Sequence, residues 1–136
     1  MPIPSGVPDY SDLMNRFRRA YAKADPALLA GVLADGFQWH NHWFQADDPN
    51  TTGRVLHGID DTMTELLYRK QHWSDVRFDA LVEHFAPGLV TQSFTISGVD
   101  QGVPFANAAV DLYTVTDDEK IVKKDTYWKF AATRTP

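Results

Sequence analysis

Two histidines and an asparagine, His40, Asn41 and His42, stand among aromatic rings in the stretch FQWHNHWF at residues 37–44. An imidazole titrates near neutrality, so it can move a proton or ligate a metal, and a side-chain amide can polarise a substrate oxygen. On a strand successive side chains alternate between faces. Phe37, Trp39, Asn41 and Trp43 then share one side, and Gln38, His40, His42 and Phe44 the other. Trp, Asn and Trp are an unusual inner face for a solid core. The stretch therefore lines a ligand cavity, holds a metal through its histidines, or is bulky core. As metal ligands, His40 and His42 would need one or two partners, for which Asp47, Asp48 and His57 are the candidates. HxH without HExxH, a cysteine ligand or a second histidine pair is an incomplete set, so neither a metal nor a cofactor is assigned. General acid–base work is the better use, and His42 is the choice. A bulge near the strand end would turn it toward a pocket mouth. His40 is expected on the convex sheet face, and His57, His72 and His84 in structural or solvent-facing roles.

Other chemistries find little footing. Cysteine is absent, which removes disulfides, thiolate metal sites and cysteine nucleophiles. GxGxxG and GxxxxGK[ST] are missing, so a nucleotide phosphate cradle is unsupported. Ser93, Thr95 and Ser97 have no nucleophile motif around them. Eighteen acidic against thirteen basic residues give a net charge of −5, the wrong sign for a phosphate-backbone partner. No apolar run is long enough to span a bilayer, and MPIPSGVPDYSD lacks a basic region followed by an apolar one. The expectation is a soluble, cytoplasmic protein with neither nucleic-acid nor membrane partners. Four Trp, eight Phe and five Tyr suit a dense core, an apolar pocket or a subunit interface.

The 136 residues suffice for one domain with a real core. Residues 1–8 read as an irregular arm. From Asp9, the positions Tyr10, Leu13, Met14, Phe17, Tyr21 and Ala24 recur at the three-and-four spacing of an amphipathic helix. Asp25-Pro26 caps a second helix filled by ALLAGVLAD, with Gly36 placed to end it. The aromatic strand follows, and then QADDPNTTGRVLH, a polar stretch read as a lid or pocket rim. A third helix opens after Gly58, with Asp60 and Asp61 in its first turn and Ile59, Met63, Leu66, Leu67 and Trp73 as its apolar stripe. VRFDALVEHF, LVTQSFTISG, VPFANAAVDLYTV and KIVKKDTYWKF are four antiparallel strands, separated by APG, VDQG and TDDE turns. Helices on one face of a curved antiparallel sheet make an α+β fold.

This order resembles the NTF2-like superfamily, and within it the SnoaL-like polyketide cyclases and ketosteroid isomerases. The residues behind the likeness are R-x-x-Y-A-K-A-D-P-x-x-L-x-x-x-L-A-D at 18–35, Gly58 opening the third helix, and the final hairpin VDLYTVTDDEKIVKKDTYW. The resemblance implies a single domain over 1–136, with a cone-shaped sheet and three helices packed on its concave side around an apolar cavity. It also implies positions. The tyrosine of the isomerase oxyanion site falls on Phe17, the aspartate base on Asn41, and the neutral aspartic acid on Asp111. Phe donates no hydrogen bond and an amide accepts no substrate proton, so the isomerase mechanism itself is not carried over. Tyr21, one turn on from Phe17 and on the same face, can replace the lost hydroxyl.

The last hairpin carries the remaining candidates. If Val115 faces Lys120, the opposed pairs are Tyr113–Val122, Asp111–Lys124, Ala109–Thr126 and Asn107–Trp128. With Asp111 inward, as the resemblance implies, Lys124, Thr126 and Trp128 come with it. A one-residue slip sends Asp125, Tyr127 and Lys129 inside instead. The reading is a cofactor-independent enzyme acting on a small hydrophobic organic molecule by general acid–base proton transfer, as an isomerase, a dehydratase or lyase, a cyclase or an epoxide hydrolase. Asp111 and Lys124 form the polar floor, His42 or Asp111 moves the proton, and Asn41 and Tyr21 polarise an oxygen. Phe17, Trp39, Trp43, Phe94, Asn107, Tyr113, Thr126 and Trp128 meet the substrate. The alternative is a non-catalytic module of the same shape that binds a small molecule or dimerises. A homodimer through the open sheet face is expected in either case.

Overall fold

The computed structural model describes residues 6–42 and 53–129. Along the chain the elements are α1 (Ser11–Lys23), α2 (Pro26–Ala30), β1 (Leu33–Asn41), β2 (Arg54–His57), α3 (Gly58–His72), β3 (Trp73–Ala86), β4 (Leu89–Asp100), β5 (Val103–Val115) and β6 (Ile121–Lys129). The six strands form one sheet in the order β2-β1-β6-β5-β4-β3. Every pairing is antiparallel except β1 with β6, which is parallel. Trp43, Phe44, Asp47 and Asp48 lie outside the described residues.

The apolar stripe of α1 is as the spacing predicts: Leu13, Met14, Phe17 and Ala20 are buried. They share one core with Val90, Tyr113, Val115 and Ile121 of the sheet, which seats the helix on the concave side. The Asp25 side chain accepts hydrogen bonds from the backbone N–H groups of Ala27 and Leu28, capping α2 as expected. That helix stops at Ala30, however, and Gly31 is its C-cap. Gly36 does not end a helix. It lies inside β1 with φ of +76°, where the pairing with β6 shifts between Leu33 and Gln38. Five residues bury too little to prolong α2, whereas VLADGFQW carries alternation that the sheet can use. Further register shifts in β3, beside positive-φ Asp75 and Ala80, bend the opposite edge, since an extra residue on one strand curls it.

The polar stretch after β1 ends in structure, because Arg54–His57 is an edge strand that adds a sixth member to the sheet. Gly53 leads into it at φ +89°, and a Cβ there would lie 2.9 Å from the carbonyl carbon of Asn41 and 3.0 Å from the Cα of His42. Only glycine permits that approach.

The third helix differs most from its apolar reading. Its buried residues are Thr62, Glu65, Leu66 and Arg69, Leu67 is exposed, and Trp73 opens β3. A buried stripe with three polar members out of four is stable because its charges meet partners. Arg69 Nε donates to Glu65 Oε2 at 2.7 Å, and Arg54 contacts the other oxygen of that carboxylate. The guanidinium lies 4.8 Å from the Trp39 ring and 4.5 Å from that of Trp73.

Candidate functional site

The hairpin register decides which side chains meet. The turn is one residue longer than the simplest pairing allows, with Val115 opposite Ile121, and a bulge before Thr114–Lys123 adds one more. The observed partners are therefore Tyr113–Lys124, Asp111–Thr126 and Ala109–Trp128, which corrects the expected pairs. A shift of two residues preserves the face. Asp111, Lys124, Thr126 and Trp128 all line the concave side, as expected.

Across the sheet, opposed residues align into rows. Glu83 faces Gln92, Gln92 faces Asp111, Asp111 faces Thr126, and Thr126 faces Asn41. This polar row crosses five strands. On one side of it lie Val90, Tyr113 and Trp39 of the main core. On the other lie Phe94, Ala109 and Trp128, part of a second, smaller apolar cluster. Where the row separates the two clusters there is a cavity of about 260 Å³. Its wall is Phe17, Tyr21 and Ala22 of α1, Trp39, Phe78, Leu81, Phe94, Ile96, Tyr113 and Trp128. Its polar lining is Arg18, Arg69, Gln92, Asp111, Lys124 and Thr126. The volume lies between the ~150 Å³ that admits benzene and the ~300 Å³ at which drug-sized sites begin, so it fits a molecule of about one or two rings.

The charges at the floor are buried. Asp111 and Lys124 are 4% and 5% exposed. Lys124 Nζ lies 3.9 Å from Asp111 Oδ2, an ion pair too long for a direct hydrogen bond. The ammonium is ringed by aromatic faces, 4.3 Å from the centre of Trp39, 4.4 Å from Tyr21, 5.6 Å from Phe17 and 5.8 Å from Tyr113. A desolvated cation gains from such faces. Tyr113 Oη donates to Asp111 Oδ2 at 3.2 Å, and Asp111 Oδ1 has no hydrogen-bond partner among the described residues. Burial pushes the Tyr113 phenol well above the usual tyrosine range, and the adjoining Asp111 charge adds to this. Tyr113 therefore stays protonated as a donor. Arg69 Nη1 donates to Tyr21 Oη at 2.8 Å, which leaves the Tyr21 proton available to another acceptor. Trp39 Nε1 donates to Thr126 Oγ1 at 2.9 Å, and so fixes that ring. At the rim, Arg18 and Gln92 both donate to Glu83 Oε2.

Not every expected residue reaches the cavity. His42 lies on the other side of the sheet, where its Nε2 is 2.6 Å from Asp125 Oδ1 and its ring stacks on Tyr127 at 4.2 Å. Strand alternation continues unbroken past Asn41, so no bulge turns the imidazole inward. Asn107 is also misplaced. It belongs to the concave face but sits two residues beyond Ala109 and is not part of the cavity wall. Asn41 closes the polar row at 1% exposure, behind the wall rather than in it, and neither polar atom of its amide has a hydrogen-bond partner among the described residues. Trp43 lies outside the described residues. Arg69, Gln92 and Arg18 were not among the expected site residues. Gln92 had a signal, being the one polar member of the alternating set Val90, Gln92, Phe94, Ile96. Glu65 and Arg69, four apart on a helix, read like any surface pair.

A curved, unclosed sheet with helices against its concave face and an aromatic cavity between them is the NTF2-like α+β architecture. Residues 14–124 match the family model of the SnoaL-like domain, and the chain belongs to that family. Solved structures repeat the fold. A hypothetical protein of Catenulispora acidiphila with a ketosteroid isomerase-like fold, in complex with trimethylamine, is 16% identical with a TM-score of 0.68, over 88% of this chain and 87% of that one. An NTF2-like protein of Burkholderia xenovorans is 16% identical with a TM-score of 0.72, over 87% of each chain. A putative polyketide cyclase of Pseudomonas putida is 17% identical with a TM-score of 0.65, over 90% of this chain and 93% of that one. No curated protein sequence matches the chain. Among the described residues no helix is long and apolar enough to cross a membrane.

Proposed function

We propose that this protein is a cofactor-independent enzyme that moves a proton on a small, mostly apolar organic molecule held in the cavity. The observation that carries this reading is the Asp111 carboxylate, buried in an aromatic wall with Oδ1 unpartnered among the described residues and Oδ2 beside Tyr113 and Lys124. An unsatisfied buried acceptor costs on the order of 1–3 kcal/mol, and a general base needs a lone pair free to meet the reacting proton. Oδ1 takes a proton from a carbon next to a carbonyl group, and the C–H electron pair passes into an enolate. The Tyr21 hydroxyl, made a stronger donor by the Arg69 guanidinium behind it, holds the enolate oxygen. Lys124 stays close to the negative charge before and after it moves from carboxylate to substrate. Returning the proton to a second carbon completes an isomerisation, expelling a β-substituent completes an elimination, and attack of the enolate on a second carbonyl completes a cyclisation.

The test follows solvent-deuterium exchange into small cyclic enones by NMR. Asp111→Asn lowers the exchange rate by about 10²-fold or more, the usual share of a general base. Exchange that is equal in the variant and the unmodified protein removes the proposal.

A second reading, a binding module without chemistry, draws on Phe17 and Asn41. They stand where the resemblance to the isomerases places a hydroxyl and a base, and neither can serve as one. Trimethylamine in the Catenulispora acidiphila structure fits a small organic occupant under either reading. Recovery of a bound molecule chemically unchanged after long incubation, with full affinity in Asp111→Asn, favours the module. The outer sheet face carries the aligned row Val82, Ser93, Val110, Tyr127, three of them exposed and apolar or aromatic. We assign a twofold homodimer contact to it.

A further inference from the structure

The outer face holds a second constellation that the cavity chemistry does not use. Because β1 runs parallel to β6, His40 lies opposite Asp125, and His42 follows two residues later on the same face. The His40 and His42 ring centroids are 3.5 Å apart. Asp125 Oδ1 is 2.6 Å from His42 Nε2, with the two side chains 12% and 22% exposed. One ligand atom from each of the three residues lies within 4.8 Å of the others. Two elements of support hold the group in place: Tyr127 stacks on His42 at an interplanar angle of 2°, and the His42 backbone N–H donates to the Thr126 carbonyl at 2.8 Å. Lys123 Nζ, 3.6 Å from Asp125 Oδ1 and 43% exposed, is a competing cation that swings into solvent when the ion binds.

We infer that His40, His42 and Asp125 form a binding site for a first-row divalent cation of the Zn²⁺ type. Two imidazole nitrogens and one carboxylate oxygen are a donor set suited to borderline cations, whereas Ca²⁺ and Mg²⁺ favour all-oxygen shells. Ligands about 2.0–2.2 Å from a tetrahedral ion are roughly 3.3 Å from one another. Closing from within 4.8 Å to that spacing takes rotation of the imidazoles about their side-chain bonds and no movement of the strands. The ion takes the place of the hydrogen bond between His42 and Asp125, and the three ligands among the described residues leave a fourth position for water. Lys124 and Thr126, on either side of Asp125, face the cavity instead. The ion is therefore separated from the cavity by the thickness of the sheet, and its direct consequence is to pin the end of β1 to β6. Sequence spacing hid the site because its third ligand lies 83 residues from His42. Asp47 and Asp48 lie outside the described residues, and His57 is not part of the cluster.

The test titrates the untagged, chelator-stripped full chain with Zn²⁺ by calorimetry, with Mg²⁺ and Ca²⁺ as controls. One Zn²⁺ binds per chain and raises the melting temperature, and Mg²⁺ and Ca²⁺ at the same concentration do not. His40→Ala and Asp125→Asn each weaken Zn²⁺ binding at least tenfold. In the unmodified protein, nitrogen-15 spectra of the five histidine rings report the ligands without any substitution. The rings of His40 and His42 shift on Zn²⁺ addition, and those of His57, His72 and His84 do not. No binding, affinity unchanged in both variants, or shifts confined to the other three rings overturns the assignment.

Discussion

Replacing Lys124 by Met tests whether the cavity floor is dry. The substitution keeps an unbranched side chain of similar length among the four aromatic faces and removes the charge. Asp111 is then left as a buried carboxylate, 4% exposed, with only the Tyr113 hydroxyl for support. Removing one member of a buried pair costs about 3–5 kcal/mol. The direct attraction follows from the distance. Unit charges 3.9 Å apart in an effective dielectric of ~20 attract by about 4 kcal/mol. Asp111→Asn strands the ammonium in turn, while the double variant strands neither group. Urea denaturation of the unmodified protein, both single variants and the double variant closes a cycle in which the pairwise term is isolated. Lys124→Met is expected to cost about 3–5 kcal/mol alone, the double variant clearly less than the sum of the singles, and the coupling to be about 2–3 kcal/mol. A coupling below about 0.5 kcal/mol, the range of solvent-exposed pairs, would mean that water reaches both charges, and the proposed low-polarity floor would be refuted.

Three further outcomes follow from the same geometry. Tyr21→Phe removes the donor proposed for the enolate oxygen and should lower turnover by about 10²–10³-fold with little change in ligand affinity, measured as kcat against KM; unchanged kcat rejects the role. Tyr113 stays protonated in the folded state while the unfolded chain loses that proton above about pH 10, so stability falls as pH rises beyond that point, by roughly 1 kcal/mol over the next pH unit. Tyr113→Phe should show that much less alkaline loss in urea unfolding, and parallel profiles would contradict the burial of the phenol. Light scattering at micromolar concentration should give twice 15.4 kDa, and Val110→Lys should halve the mass; a monomeric unmodified protein excludes the outer-face contact.

Much of this architecture was legible because it rests on periodicity. The stripe from Leu13 to Ala20 can bury its apolar face in only one way, while the inward face of the last hairpin came from the resemblance, which puts Asp111 inside. The inward set Asp111, Lys124, Thr126 and Trp128 was legible even though its pairing was not, because the longer turn and the bulge each shifted the register by one and left parity intact. His42 was misread by invoking a strand-end bulge for which local sequence offers no signal. Arg54–His57 escaped because an edge strand of four residues inside a polar stretch leaves almost no pattern. Arg69 escaped for a different reason. Hydrophobic periodicity counts apolar residues, and a guanidinium stacked between Trp39 and Trp73 takes the place of one without looking like one. The cluster of His40, His42 and Asp125 depends on the parallel pairing of β1 with β6, a contact between the two ends of the fold.

The polar row draws each of its members from a different strand, and apart from Lys124 the buried neighbours on both sides are apolar or aromatic. Exchanging Gln92 for another hydrogen-bonding residue alters what a guest can donate or accept, while the flanking Val90 and Phe94 that cement the strands stay as they are. Recognition is thereby uncoupled from the scaffold. A lineage built on this plan can shift from one guest to another through single replacements along one line, with the hollow and its closure inherited unchanged.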